Sequence, residues 1–302
     1  MVGQGVSPPR VHLIDAAVYV FRAYHALPPL SAPDGTPTHA AYGFTNTLLR
    51  HLREAEVEYA AVCFDHSMQS FRNELEPGYK AQRGETPPDL EPQFEIASRA
   101  AAALGLAVFE APGFEADDCI ATLATQVVES GGSAVVVSAD KDLAQLVRED
   151  GRVVLHDLAR GETYDAEGVR GRWGVDPEQI PEYLGLVGDA VDNLPGVPGV
   201  GPKGASAALR AFGRIDAIPE DAGAWRDVGV RGAARLAQRI ALHRERALRT
   251  RDLATLRHDV PGLRVPLADL RCRGADPQGV ASLFERLGWG RIATRALRSP
   301  GS

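Results

Sequence analysis

Three stretches of this chain share one pattern: a largely apolar run that closes on an aspartate. They are residues 10–15, 59–65 and 133–140, ending on Asp15, Asp65 and Asp140. None alternates polar with apolar, so each reads as a strand buried on both faces, and such strands separated by helices make a parallel sheet with helices on either side. The intervening segments fit. Residues 16–24 read as a helix, and residues 40–55 carry Phe44, Leu48, Leu49 and Leu52 at helical spacing. Residues 96–104 form an Ala-rich helix, 107–110 a short strand, 119–130 a helix and 153–157 a weaker strand. From about residue 167 the strand signal fades, and helices are expected over 177–186 and 205–212. The fold class is α/β, a largely parallel sheet flanked by helices over residues 10–175, followed by a helical region over 176–292. Residues 66–95 break the rhythm, with Pro77, Gly78, Gly84, Pro87, Pro88 and Pro92 among Phe71, Arg72, Tyr79, Lys80 and Arg83. They read as a long mobile insertion, and long loops in compact domains often carry function.

In an open parallel sheet, ligands gather at the carboxyl ends of the strands. Asp15, Asp65 and Asp140 fall there, with Asp142 two residues on. The motif Pro112-Gly113-Phe114-Glu115-Ala116-Asp117-Asp118 adds three carboxylates at the entrance of an apolar helix. One acid at a helix N-terminus is ordinary capping; three are costly unless a cation binds them, and an oxygen-only donor set suits Mg²⁺, with Mn²⁺ as a substitute. Asp189 and Asp192, in a turn after the 177–186 helix, extend the set to nine.

Composition narrows the partners. Hydrophobic content of 44% and charged content of 24% are those of an ordinary globular protein, and no apolar run is long enough to span a bilayer. The first ten residues lack a leader-like apolar core, and Cys63, Cys119 and Cys272 have neither disulfide nor metal spacing. A reducing cytoplasm is therefore expected, with no membrane partner. The net charge of −7 hides an asymmetry: residues 1–202 carry 14 Lys and Arg against 30 Asp and Glu, whereas residues 203–302 carry 19 against 10. A basic C-terminal third suits a polyanion.

The stretch Gly196-Val197-Pro198-Gly199-Val200-Gly201-Pro202-Lys203 resembles a nucleotide-binding P-loop only superficially, because the Gly-to-Lys spacing is wrong and Gly204 stands where Ser or Thr would follow. It suits a helix–hairpin–helix turn instead. There Gly199 and Gly201 let backbone N–H groups approach a DNA phosphate while Lys203 adds charge. In the insertion, Lys80 and Arg83 are candidate catalytic cations for a scissile phosphate, and Phe71 and Tyr79 candidate stacking platforms for unpaired bases.

Taken in order, Asp15…Arg22, Phe64-Asp65, Ser70-Phe71-Arg72, Tyr79-Lys80…Arg83, the 112–118 motif, Ala139-Asp140-Lys141-Asp142 and Gly188-Asp189…Asp192-Asn193-Leu194-Pro195-Gly196-Val197 resemble the 5′-nuclease domain of bacterial DNA polymerase I. The likeness runs from about residue 10 to about 292, and the wider family includes the flap endonucleases. The resemblance implies a PIN-like 5′-nuclease fold with a helical arch over 66–95 and a C-terminal helix–three-turn–helix. It implies two Mg²⁺ ions, the first held by Asp15, Asp65, Glu115, Asp117 and Asp118, the second by Asp140, Asp142, Asp189 and Asp192. Lys80 and Arg83 would lie at the scissile phosphate, Arg22, Phe71, Arg72, Tyr79, Gly199, Gly201 and Lys203 would contact DNA, and the turn would hold K⁺. Two positions depart from the family pattern: Ala16 stands for the usual Gly, and Gly204 for the usual Thr.

The reading that follows is a monomeric, stand-alone 5′-3′ exonuclease or flap endonuclease acting on 5′ flaps and ends, RNA-primed ends included, in replication and repair. The rival is a catalytically silent DNA-junction binding module. A phosphohydrolase for small phosphate esters is a third, disfavoured by the basic C-terminal third.

Overall fold

Apolar alternation by twos puts Val11 and Leu13 on one face of the first strand and Ile14 on the other, and two hydrophobic layers form around it. A computed structural model of the chain describes residues 8–297; the start of the segment expected to lack a leader, residues 1–7, lies outside them. The first half runs β1 (Arg10–Asp15), α1 (Ala16–Ala26), α2 (His39–Glu54), β2 (Tyr59–Cys63), α3 (Phe71–Leu75), α4 (Glu91–Ala103), β3 (Ala107–Phe109), α5 (Ala116–Glu129), β4 (Ser133–Val137), β5 (Val153–Asp157) and β6 (Glu162–Tyr164). The six strands lie in the order β3-β2-β1-β4-β5-β6, parallel except for β6. The order reverses at β1, which pairs with β2 on one side and β4 on the other. A crevice therefore opens beyond the carboxyl ends of β1 and β4.

The second half runs α6 (Ala166–Trp173), α7 (Ile180–Val187), a two-residue hairpin of β7 (Gly188–Asp189) and β8 (Leu194–Pro195), α8 (Pro202–Phe212), α9 (Ala233–Leu242), α10 (Arg244–Ala254), α11 (Pro277–Arg286) and α12 (Gly290–Ala296). One core layer joins α5 to the underside of the sheet and continues through Leu143 and Leu184 to Ala247 on α10. The other packs α1, α2 and α4 with Phe284 and Trp289 from the C-terminal end. No described helix is long and apolar enough to cross a membrane.

Three expectations shift. α4 begins at Glu91, with Pro92 in its first turn, where proline costs no hydrogen bond. α8 begins at Pro202 rather than at 205 for the same reason. The arch is barely helical: among residues 66–90 only Phe71–Leu75 forms a helix, capped by the Ser70 hydroxyl, because Pro77, Pro87, Pro88 and the glycines between them interrupt any longer one.

Candidate metal centre

The strand-end acids meet in the crevice. Asp15 closes β1, is 3% exposed, and accepts a hydrogen bond of 2.7 Å from the Ser138 hydroxyl just past β4. Burial, opposed by that bond and reinforced by Asp65 and Asp140, pushes its pKa up to about 7. Asp65 stands two residues beyond β2 at the open side, and its Oδ1 accepts the Ala116 N–H at 2.8 Å, tying it to the head of α5. Asp117, half-buried in the first turn of α5, is raised well above the usual carboxylate range by burial and by the charges of Asp15 and Asp140. Glu115 is held differently. Ser70 donates to its Oε1 at 2.8 Å, and Lys80 Nζ and the Tyr79 hydroxyl donate to its Oε2 at 3.0 and 3.1 Å. Burial opposes its charge, but Lys80 and Arg72 outweigh it and hold the pKa below the ordinary value.

The second group comes from separate chain segments. Asp142, Asp189 and Asp192 are all buried, and one carboxylate oxygen from each lies within 4.8 Å of the others. Asp140 links the groups: its charge bears on Asp15 and Asp117, and its Oδ1 accepts the Asp142 N–H at 2.9 Å. Lys141 donates to Asp189 Oδ2 at 2.5 Å, and Arg83 to Asp192 Oδ1 at 2.5 Å. Asp142 Oδ1 is buried without a hydrogen-bond donor, its cationic neighbour being the Lys141 ammonium at 3.5 Å, and burial with the Asp140 charge outweighs that cation and drives this carboxyl well above its ordinary pKa. A buried, unsatisfied acid among like charges is expensive in isolation. An all-oxygen set of this kind fits a hard divalent cation.

The insertion descends onto these acids. Lys80 has φ +56, a left-handed conformation costly for a residue with a Cβ, and its N–H is held by the Asp192 carbonyl at 3.0 Å. Its ammonium faces Glu115 and lies 3.9 Å from Asp192. Lys80 and Arg83 thus sit together at the rim.

Three expected roles are corrected. Asp118 is fully buried with both oxygens used: Arg72 Nη1 and Nη2 donate at 2.7 and 2.8 Å, and the N–H groups of Arg257 and Glu115 at 2.9 and 3.2 Å. It is turned onto Arg72 because it is the third helical residue of α5, reaching back to the cap. Arg72 is consequently no DNA contact. At 2% exposed it spends its remaining donors on the carbonyls of Leu253 and Thr255. Tyr79, at 3% exposed, offers no face to a base; its hydroxyl bridges Glu115 and Asp192 Oδ2, each at 3.1 Å. Burial and those carboxylates push its pKa far up, so it remains a donor. Phe71 packs on Phe114 and beneath the Arg72 guanidinium, and Arg22 is exposed on α1.

Gly199 and Gly201 lie in the turn before α8, with Lys203 exposed in its first turn. They border a cleft of about 1180 Å³ whose other wall carries Arg231, Arg235 and Arg239. Sequence reasoning missed Ser70, Ser138, Lys141 and this arginine wall. Lys141 carried a signal, being a cation between two candidate ligands; Arg239 carried none.

This architecture matches known structures. T5 5′-exonuclease superposes with a TM-score of 0.64 at 21% identity, covering 96% of this chain and 99% of that one. The catalytic core of Rad2, solved in complex with DNA substrate, also gives 0.64, at 16% identity over 97% and 92% of the two chains. At these identities the likeness concerns the fold. Sequence models carry it further: "5'-3' exonuclease, N-terminal resolvase-like domain" matches residues 10–174, and "5'-3' exonuclease, C-terminal SAM fold" residues 175–278. A 5'-3' exonuclease of Aquifex aeolicus is 38% identical over 69% of this chain and 71% of its own length. DNA polymerase I of Rhizobium leguminosarum is 40% identical over 82% of this chain, which spans only 24% of that polymerase. The chain belongs to the 5′-3′ exonuclease family of nucleases.

Proposed function

We propose that this chain is a Mg²⁺-dependent, structure-specific 5′-nuclease that hydrolyses DNA phosphodiesters at 5′ flaps and 5′ ends. The observation that carries the reading is the buried Asp142–Asp189–Asp192 trio with its donorless Asp142 oxygen. A pure DNA binder gains nothing from such a concentration of charge beside a polyanion. Asp142, Asp189 and Asp192 would hold one ion, and Asp15, Asp65, Glu115 and Asp117 the other, with Asp140 between them. When bound, the ions supply activation of water and neutralisation of phosphate charge.

The chain's own residues do the rest. Ser138 and the Ala116 N–H fix the oxygens of Asp15 and Asp65. Tyr79 holds Glu115 and Asp192 in register across the crevice. Lys80 and Arg83, at the rim, stabilise negative charge as it develops on the scissile phosphate. The turn at Gly199, Gly201 and Lys203 grips the duplex backbone without reading bases, Arg22 lies on the substrate side, and residues 10–175 act as the catalytic unit with 176–292 as the DNA-binding one. The protein acts in the cytoplasm as a monomer, in replication and repair, on RNA-primed as well as DNA ends.

The test is cleavage of a labelled 5′-flap duplex in Mg²⁺, Mn²⁺ or EDTA, beside Asp117→Ala. Products at the flap junction that need the metal and vanish in the variant are expected. Tight flap binding without cleavage in either metal would leave a silent junction binder.

A further inference from the structure

The glycine turn before α8 shows how its backbone oxygens are used. The Pro195 carbonyl accepts the Thr250 hydroxyl at 2.9 Å, Val197 accepts the Val200 N–H at 3.0 Å, and Gly201 accepts the Ala205 N–H at 3.0 Å. The Gly199 carbonyl accepts Nη1 of Arg239, from the last turn of α9, at 3.0 Å. That guanidinium lies directly over the turn: a Cβ on Gly199, whose φ is +75, would stand 1.9 Å from Nη1 and 2.7 Å from Cζ. A monovalent cation in a backbone cage replaces its hydration shell with several convergent carbonyls. Here Pro195, Val197 and Gly201 each already accept one hydrogen bond, and, decisively against a second cation, a fixed positive charge covers the Gly199 oxygen. The turn does not fit the K⁺ ion that the resemblance implied.

The departure at Gly204 has its reason in the same contact. A Cβ there would lie 3.3 and 3.4 Å from the methyls of Leu236, so the glycine lets α9 approach the start of α8. Leu236, Ala237 and Ile240 bury that face of α9, and Arg239, one turn beyond Leu236, is carried onto the Gly199 carbonyl. The φ of +75 at 199 favours glycine, and a Cβ there would displace the end of the Arg239 side chain from the carbonyl.

We infer that Arg239 supplies, as a side chain, the positive charge that a bound monovalent ion would otherwise bring to this turn, so that duplex binding by this chain is indifferent to which alkali cation is present. The inference rests on the turn being a phosphate grip. Arg239 is a positioning residue: it fixes the Gly199 peptide and adds charge to a wall that also carries Arg231 and Arg235.

The experiment is fluorescence anisotropy with the whole chain and a labelled 5′-flap duplex, with Ca²⁺ replacing Mg²⁺, in KCl, NaCl and LiCl at one ionic strength. The wild type is compared with Arg239→Met, Arg239→Lys and Lys203→Met, each checked for folding by its melting curve. The wild-type Kd should agree within about twofold across the three salts. Arg239→Met should bind about tenfold more weakly in LiCl, the scale of one charge-assisted contact, and recover part of the loss in KCl; Arg239→Lys should restore the indifference. Wild-type binding more than about fivefold tighter in KCl than in LiCl overturns the inference, as does an Arg239→Met variant that does not distinguish the salts. If that variant fails to fold, the wild-type series decides alone. Lys203→Met with wild-type affinity in every salt would instead remove the phosphate-grip reading on which the inference rests.

Discussion

The root and the tip of the insertion both present cations to buried carboxylates and do opposite things with them. Arg72 at the root, in α3, commits its guanidinium to buried partners: the two oxygens of Asp118 and the carbonyls of Leu253 and Thr255. Lys80 and Arg83 at the tip contact carboxylates that line an open crevice, with side-chain exposures of 18% and 36% against 2% for Arg72. A cation whose donors all end on buried acceptors is a rivet between α5 and the end of α10. A cation that is itself partly exposed, as Lys80 and Arg83 are, can exchange its carboxylate for a phosphate. The count of charges does not separate the two; desolvation and donor saturation do.

Breaking the rivet should have the largest effect. Arg72→Ala leaves Asp118 buried and unpaired, which costs about 3–5 kcal/mol. Thermal unfolding should show the melting temperature falling by roughly 10 °C. Arg72→Lys should recover little of it, because a lysine cannot make the paired bonds to both oxygens. An Arg72→Ala protein that melts like the wild type but has lost DNA affinity would return Arg72 to the substrate side.

At the tip the balance reverses. Lys80→Ala and Arg83→Ala should each lower flap cleavage by about 10²–10³ while shifting the melting temperature by no more than about 2 °C. Equal damage to stability would make the tip a second rivet.

The donorless oxygen offers a smaller, metal-dependent effect. In EDTA, Asp142→Asn should be at least as stable as the wild type, because burial and the Asp140 charge disfavour the ionised carboxyl and only Lys141, 3.5 Å away, favours it. Added Mg²⁺ should raise the melting temperature of the wild type and not that of the variant, since only the wild type binds the ion in its folded state. Identical Mg²⁺ shifts would exclude Asp142 as a ligand.

The smallest effect lies away from the crevice and serves as a control. His12 Nδ1 and His51 Nε2 are 2.9 Å apart on the opposite side of β1, and His51 stacks on His156. Burial, with the neighbouring histidines, lowers His12 to about 3 and His51 to about 4. Folded-state pKa values below the unfolded 6.5 mean that the unfolded chain binds more protons between them. Stability is therefore full above pH 6.5 and declines as pH falls from there toward 4 and 3, by about 1 kcal/mol per histidine at pH 5.5. His51→Gln should flatten the decline seen in denaturant titrations between pH 7 and 5, and the decline should persist unchanged in the tip variants.

Much of this was legible from local rules. Continuous apolar runs ending in Asp15, Asp65 and Asp140 set the parallel sheet and its acidic edge, because a strand buried on both faces leaves no alternation. Glycine and proline spacing placed the turn before α8, since backbone conformations follow from those residues directly. Which acid faces the crevice and which holds an arginine was decided only by the fold. Asp117 and Asp118 are adjacent and chemically alike, yet successive positions on a helix point about 100° apart, so one enters the crevice and the other meets Arg72. Tyr79 looked like a stacking platform until tertiary packing buried it between two carboxylates. Arg239 carried no sequence signal at all, because its partner is a backbone carbonyl 40 residues away, and only the packing of α9 against Gly204 brings the two together.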